Sequence, residues 1–472
     1  MDTVTKRTSI RVESVSENRR ELERKLRRKF DLRIIPFVSL LYLCAFIDRT
    51  NIGNARLDNI EEDLNIDGSQ YSWALSIFFF GYVIFEVPSN LMLKKWKASR
   101  WIARIMVTWG GVTIAMAGVK SYAGLLATRF FLGVAEAGLF PGIVFYLTFW
   151  YTRDEQCTRV ALFFASASLA GAFGGVLAFF ISQISGTGGL RGWQWIFILE
   201  GIPTVIIGIV VWFYLPDDPE SSSWLSESEK ELAESRLRYD SAVTVESDHG
   251  FDRGQFLATV LNAKTWLYMF MYIGINTPVY SLALLLPTII RGLGFTHLIA
   301  QLLTAPPYIL AFIFSIGYAI HSDHTKERCV HLVCSGCMGI LGFVLLAILD
   351  DLKGRYIAAC ITVMGTFACV PVLLSWVTNN SVGSTKSATA SGMVIAFGNC
   401  GGAISGQFYR GDEAPQYLRS HMINVSFLTM AVILALIIRT LFKRENHKFD
   451  RDQSHGIIVD EIAENPTFRF TL

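Results

Sequence analysis

Ile34-Ile-Pro-Phe-Val-Ser-Leu-Leu-Tyr-Leu-Cys-Ala-Phe-Ile-Asp-Arg-Thr-Asn-Ile-Gly-Asn-Ala-Arg56 runs almost wholly apolar for fourteen residues, then sets an acid and a base side by side. Its 23 residues suffice to cross a hydrocarbon core about 30 Å thick as a helix. A helix is the expected form, because lipid offers no partner for unpaired backbone groups. A spanning strand would alternate apolar and polar residues, and this run does not. Similar runs follow near 72–93, 101–119, 122–151, 159–183 and 193–215. After a polar interval they resume near 265–291, 298–320, 329–349, 355–378, 388–409 and 421–441. The expected fold is therefore an all-α membrane protein of twelve transmembrane helices in two six-helix halves.

Composition agrees. Of 472 residues, 52% are hydrophobic and 17% charged, with a mean hydropathy of +0.39. Soluble domains are about a quarter charged, so a disordered chain and an ordinary cytosolic enzyme are both excluded. Net charge, at +2, decides nothing. The eight cysteines lie mostly in apolar runs, and Cys334 and Cys337 lack the second pair or histidine cluster that a zinc site requires. No metal, cofactor or nucleic-acid contact is expected.

Charge placement sets orientation. Residues 1–33 carry eleven Lys and Arg, and the loop after the second span adds Lys94, Lys95, Lys97, Arg100 and Arg104. The loop after the first span instead carries Asp58, Glu61, Glu62, Asp63 and Asp67. By the positive-inside rule both termini are cytoplasmic, as an even span count requires. The organisation is then a cytoplasmic tail (1–33), a first half (34–215), a cytoplasmic linker (216–264), a second half (265–441) and a tail (442–472). The linker opens on Leu215-Pro-Asp-Asp-Pro219, and Ser226 and Glu229 have capping-box spacing ahead of a charged helix reaching about Tyr239. An offset of 230 residues relates Pro141 to Pro371 and Gly171 to Gly401. Parallel repeats of this kind occur in alternating-access transporters.

Ionisable residues at membrane depth are costly and are functional candidates. Here they occupy the first half alone: Asp48 and Arg49, Glu86, Arg129 and Glu136, and Glu200. Asp48 lies about 21 Å along its helix from Ile34, past mid-membrane, at ~1.5 Å per residue. Arg129 and Glu136 are two turns apart on one face. A carboxylate released from an arginine when an anion binds can take up a proton, which couples the two movements. Asp48 and Glu136 are therefore the proton-coupling candidates, and Arg49 and Arg129 the substrate-binding ones. Tyr82, Glu86 and Asn90 form a polar stripe that either lines a cavity or bonds helices. Glu200 is read as structural. Tyr82, Asn276, Asn399 and Gln407 are further substrate-binding candidates.

Several motifs together resemble the fungal allantoate permease family, the anion:cation symporter branch of the major facilitator superfamily. They are Asp48-Arg-Thr-Asn-Ile-Gly-Asn-Ala-Arg56, Phe85-Glu-Val-Pro-Ser-Asn-Leu91, Arg129-Phe-Phe-Leu-Gly-Val-Ala-Glu-Ala-Gly-Leu-Phe-Pro-Gly142 and Gly192-Trp-Gln-Trp-Ile-Phe-Ile-Leu-Glu-Gly-Ile-Pro203. The likeness runs from about Phe30 to about Arg444. Leu93-Lys-Lys-Trp-Lys97 lacks the acid usual in superfamily loops, while Ser322-Asp-His-Thr-Lys-Glu-Arg328 is a partial counterpart. By that resemblance Asp323 and Arg328 brace a cytoplasmic gate. The resemblance also implies a monomeric, proton-coupled importer of a small organic anion such as allantoate, nicotinate or pantothenate, in the plasma membrane. In related bacterial sugar-acid symporters the proton-responsive acids of spans one and four match Asp48 and Glu136, and the substrate-contacting arginine of span one matches Arg49. Alternatives are a proton-driven exporter of a metabolite or toxic compound, and a nutrient sensor that binds without transporting.

Overall fold

The computed structural model describes residues 19–242, 253–381, 384–409, 413, 416–454 and 469–471. Expectations for residues 1–18, for 243–252 of the linker and for most of the final tail lie outside the described residues, as does the side chain of Asn90.

The long helices of the first group are α1 (Ile35–Leu57), α2 (Gly68–Lys95), α3 (Ala98–Met116), α4 (Tyr122–Glu136), α5 (Leu139–Leu147), α6 (Arg153–Ser182) and α7 (Gly192–Tyr214). The linker contributes α8 (Glu227–Ala242). The second group is α9 (Ala263–Gly292), α10 (Ala305–Thr325), α11 (Cys329–Ile348), α12 (Leu352–Asn379), α13 (Ser384–Ser405) and α14 (Leu418–Ser454). Counting α4 and α5 as one interrupted span, these make twelve long units among the described residues, outside the linker. Nine helical segments among the described residues are long and apolar enough to cross a membrane. Helices α2, α3 and α13 complete the bundle around them. Among the described residues no strand occurs, so the all-helical expectation holds.

Helix starts coincide with capping residues. Asp67 accepts from the Gln70 amide at 2.7 Å while the Gln70 side chain accepts from the Asp67 amide at 3.0 Å, a capping box that opens α2. Asp351 caps α12 through the Gly354 amide at 2.7 Å. In the linker, the Ser226 amide donates to Glu229 at 2.9 Å, so α8 starts where the spacing predicts.

Two sets of helices pack internally: α1 with α6 and α7, α2 with α4, and α3 with α7; then α9 with α13 and α14, and α11 with α12 and α14. The sets meet through α6 against α10, α2 against α13 and α1 against α9. Glycines set these approaches. A Cβ at Gly171 would run into the Tyr308 ring, one at Gly402 into the Phe79 ring, and one at Gly53 into the Leu284 carbonyl. These crossings lie at or beyond mid-depth, toward the end of the bundle away from the linker, here called the distal end. Polar ties reinforce closure there. Gln407 donates to Ser76 at 2.8 Å, Ser76 donates to the Ala403 carbonyl at 2.7 Å, and Ser182 lies 3.3 Å from Gln301.

Candidate functional site

Backbone proximity between α2 and α4 builds the site. A Cβ at Gly133 would strike the Phe78 carbonyl, and one at Gly81 the Phe130 carbonyl. The two helices therefore pack without side chains between them, which brings Phe78 and Tyr82 beside Arg129 and Glu136. Immediately past Glu136 the helix breaks. Gly138 takes φ +101°, a region that side-chain-bearing residues avoid, and α5 restarts at Leu139. The run read from sequence as one long span is thus interrupted at the acid, leaving Glu136 at the last helical position.

Arg49 occupies the centre, 3% exposed, facing a Glu136 that is 1% exposed. Its Nε donates to Glu136 Oε1 at 3.1 Å, and Nη2 donates to the same oxygen. Nη1 donates to the Tyr280 hydroxyl at 2.9 Å, and that hydroxyl donates to Asn399 Oδ1 at 2.9 Å. One chain of bonds thus runs from α4 through α1 to α9 and α13, joining the two helical sets. Phe78, Tyr82 and Tyr280 present rings 5.1–5.7 Å from the guanidinium centre, within cation–π reach. Glu86, also buried, lies near Asn399 and Arg49.

Three groups of this site carry unpartnered atoms, Glu86 through its Oε2 among them. Glu136 Oε2 has no hydrogen-bond partner, nor do Nη1 and Nη2 of Arg129, which is wholly buried. Arg129 Nε donates to the Ala74 carbonyl at 3.3 Å, and its guanidinium centre lies 5.0 Å from the Phe78 ring. A buried guanidinium with two unused nitrogens is an anion-ready group, because a charge so placed is costly until it is paired.

The other residues singled out from sequence fall in different places. Asp48 turns away from Arg49 and accepts from Trp109 Nε1 at 2.9 Å and Thr204 Oγ1 at 2.8 Å, inside the α1–α3–α7 packing. Tyr82 and Asn399 join the Arg49 network. Asn276 is buried on α9 one turn from Tyr272. Gln407 ties α13 to α2 at the distal end rather than lining the Arg49 site. Asp323 and Arg328 pair at 2.5 Å between α10 and α11, and neighbouring Glu327 reaches Arg439 of α14 at 3.3 Å. That pair therefore braces helices of the second set. Tyr280, Phe78, Trp109 and Thr204 take part without having been singled out. None of these is marked in the sequence, since aromatic and hydroxyl side chains recur throughout the apolar runs.

Beyond the distal closure lies a polar cavity of about 290 Å³, lined by Asp58, Glu62, Asp63, Ser182, Arg191 and His297 among others. Asp58 accepts from Ser182 Oγ at 2.5 Å. Burial pushes the Asp58 carboxyl above its ordinary range, with the Ser182 hydroxyl and His297 pulling the other way.

Residues 38–406 match the sequence profile of the Major Facilitator Superfamily. The chain is 38% identical to the fungal MFS transporter prlL over 92% of its length and 89% of that protein's. A protein of Agrobacterium vitis named for tartrate transport is 37% identical over 81% of this chain and 87% of its own. Among solved structures, an inward-facing bacterial homologue of the lysosomal transporter Spinster superposes with a TM-score of 0.68. It shares 14% identity and covers 86% of this chain and 96% of its own. The xylose transporter XylE of E. coli, in a partially occluded inward-open state, gives 0.65 at 14%, covering 87% and 98%. By profile, relatives and fold, this chain is a multi-pass membrane transporter belonging to the Major Facilitator Superfamily.

Proposed function

We propose that the chain is a proton-coupled carrier that imports a small organic carboxylate by alternating access, as in the allantoate permease branch. The observation that carries this reading is the Arg49 guanidinium, shared between Glu136 of the first helical set and Tyr280 of the second. An incoming carboxylate competes with Glu136 for Arg49. Once displaced, Glu136 is a buried carboxylate without a cation, and a proton removes that cost. Anion and proton thereby strengthen each other's binding. For a dianion neither alone balances the two arginines and Glu136: the anion without the proton leaves a net charge of −1, and the proton without the anion leaves +2. Arg129, with its two unused nitrogens, is the second anchor, and this suits a dianion such as the tartrate for which one relative is named.

The two halves, 34–215 and 265–441, rock about this bridge. Asp48 and Glu136 carry protons; Arg49 and Arg129 bind the anion with Tyr82, Asn276 and Asn399. Gln407 belongs to the distal closure that must part for loading, and Asp323 and Arg328 brace the opposite gate. The linker side is cytoplasmic in this reading, the membrane is the plasma membrane, and the carrier works as a monomer.

Purified protein in liposomes tests it, with labelled tartrate, allantoate and nicotinate as probes. An inward proton gradient is expected to drive accumulation of at least one probe, and a protonophore to abolish it. Accumulation indifferent to both overturns the proton coupling, and failure of every carboxylate to move overturns the substrate class.

A further inference from the structure

One polar cluster plays no part in the Arg49 bridge. Glu200 of α7 is 6% exposed, and neither of its carboxyl oxygens has a hydrogen-bond partner. It lies beside Asp48, whose Oδ1 is likewise unpartnered, and beside the Asn51 side chain, which approaches it without closing a well-formed hydrogen bond. Three of the four carboxyl oxygens here are therefore unsatisfied. Buried side chains that merely hold helices together are normally satisfied.

The enclosure is tight. Gly110 of α3 and Gly201 and Gly208 of α7 meet so closely that a Cβ on any of them would press on the opposite helix. The groups facing the acids are Trp109 from α3, Thr204 from α7, and Cys44 and Asn51 from α1. Among the titratable groups, Glu136 also acts on Asp48 through space. Arg49, next to Asp48 in the chain, is turned to Glu136 and Tyr280. No described Lys, Arg or His pairs with either acid. Two carboxyl groups in one enclosure without a cation form a place to hold a proton.

We propose that Glu200 shares the proton assigned above to Asp48, in an enclosure of α1, α3 and α7 separate from the Arg49–Glu136 pair, and is a proton-binding residue of transport. This rests on the proton-coupled reading above. The step is a simple protonation: one carboxylate oxygen gains a proton from water on one side of the membrane and returns it on the other. Because Asp48 and Arg49 are consecutive on α1, a rotation of that helix that answers the anion at Arg49 also moves Asp48 against Glu200. Proton and anion sites are then linked through one helix.

Infrared difference spectra of the purified protein across a pH titration read the site without any substrate. A carbonyl band of a buried carboxylic acid is expected in the wild type, absent in Glu200→Gln and displaced in Asp48→Asn. Glu200→Asp, keeping the acid, should restore a band. In liposomes, the pH profile of tartrate, allantoate or nicotinate accumulation should move in Glu200→Gln by about one unit or more, the scale on which coupled acids titrate. An unchanged band in a well-folded Glu200→Gln overturns the site, and a lost band with an unmoved uptake profile overturns its role in transport. If wild-type uptake ignores the proton gradient while the band behaves as expected, the transport reading fails and the proton site stands.

Discussion

Asp48 and Arg49 are neighbours in the chain and belong to different networks. Asp48 is bonded by Trp109 and Thr204 in the α1–α3–α7 packing, whereas Arg49 is bonded by Glu136 and Tyr280 at the junction of the two helical sets. Successive helical residues are turned about 100° apart, so a helix buried on all sides serves two compartments with adjacent side chains. Residues 44–55 of α1 are buried throughout. Two adjacent ionisable side chains thereby sit in separate surroundings, one inside the first helical set and one where the two sets meet.

The buried Arg49–Glu136 pair should be costly to break singly. Arg49→Ala is expected to destabilise the protein by about 3–5 kcal/mol, the range for stranding one member of a buried pair. Combining it with Glu136→Gln should recover part of that loss, because the stranded carboxylate is gone. Thermal unfolding in detergent of both single variants and the double variant measures the coupling. Strict additivity would show that the two side chains do not interact as placed.

Two glycines give opposite expectations. Gly133→Ala drives a methyl into the Phe78 carbonyl and should cost about 1–3 kcal/mol, as overpacking does. Gly111→Ala on α3 meets nothing within 4 Å and should stabilise by about 0.5–1 kcal/mol through helix propensity alone. Melting temperatures of the two variants, taken side by side, decide whether the α2–α4 approach is as close as described.

The helical fold was legible because continuous apolar runs are unambiguous, and Arg49, Arg129 and Glu136 were legible because charge in lipid is conspicuous. Other features carried no such mark. In a chain that is 13% aromatic, one more tyrosine does not stand out, so Tyr280 was missed. Ala137-Gly138 reads as ordinary small-residue packing, and only the positive φ shows that the fourth span breaks beside Glu136. Period and spacing tell which residues share a face. They do not tell which helix lies opposite it, so the separation of Asp48 from Arg49 had to come from tertiary structure. The same gap explains Gln407, whose partner Ser76 is 331 residues away.

Tyr280→Phe should weaken substrate binding while leaving the fold intact. The variant keeps the ring and removes the hydroxyl that links Arg49 to Asn399. A hydrogen bond to a charged group is worth about 1.5–3 kcal/mol, so KM for a transported carboxylate should rise by roughly tenfold or more. The melting temperature should change little. An unaltered KM would remove Tyr280 from the path between the two halves.

Distal closure should depend on pH through Asp58. Burial holds this carboxyl above its ordinary range in the closed arrangement, where Ser182 bonds it and Gln301 lies beyond. If opening exposes Asp58 to water, its affinity for a proton falls to the ordinary value. The closed form therefore binds the proton more tightly, and linkage makes acid favour closure. Closure is complete below the ordinary carboxylate range and weakens as pH rises through the raised value. Nearby His297 opposes this by favouring the charged carboxylate when it is itself charged. A Ser76→Cys variant, buried in the distal closure where Ser76 meets Ala403 and Gln407, reports opening to an impermeant thiol reagent in a background stripped of reactive native cysteines. Labelling, corrected for the reagent's own pH dependence, should rise with pH in that variant. With Asp58→Asn added it should stay low and flat, since the amide mimics the protonated acid. A pH response that survives Asp58→Asn would assign the sensing to another group.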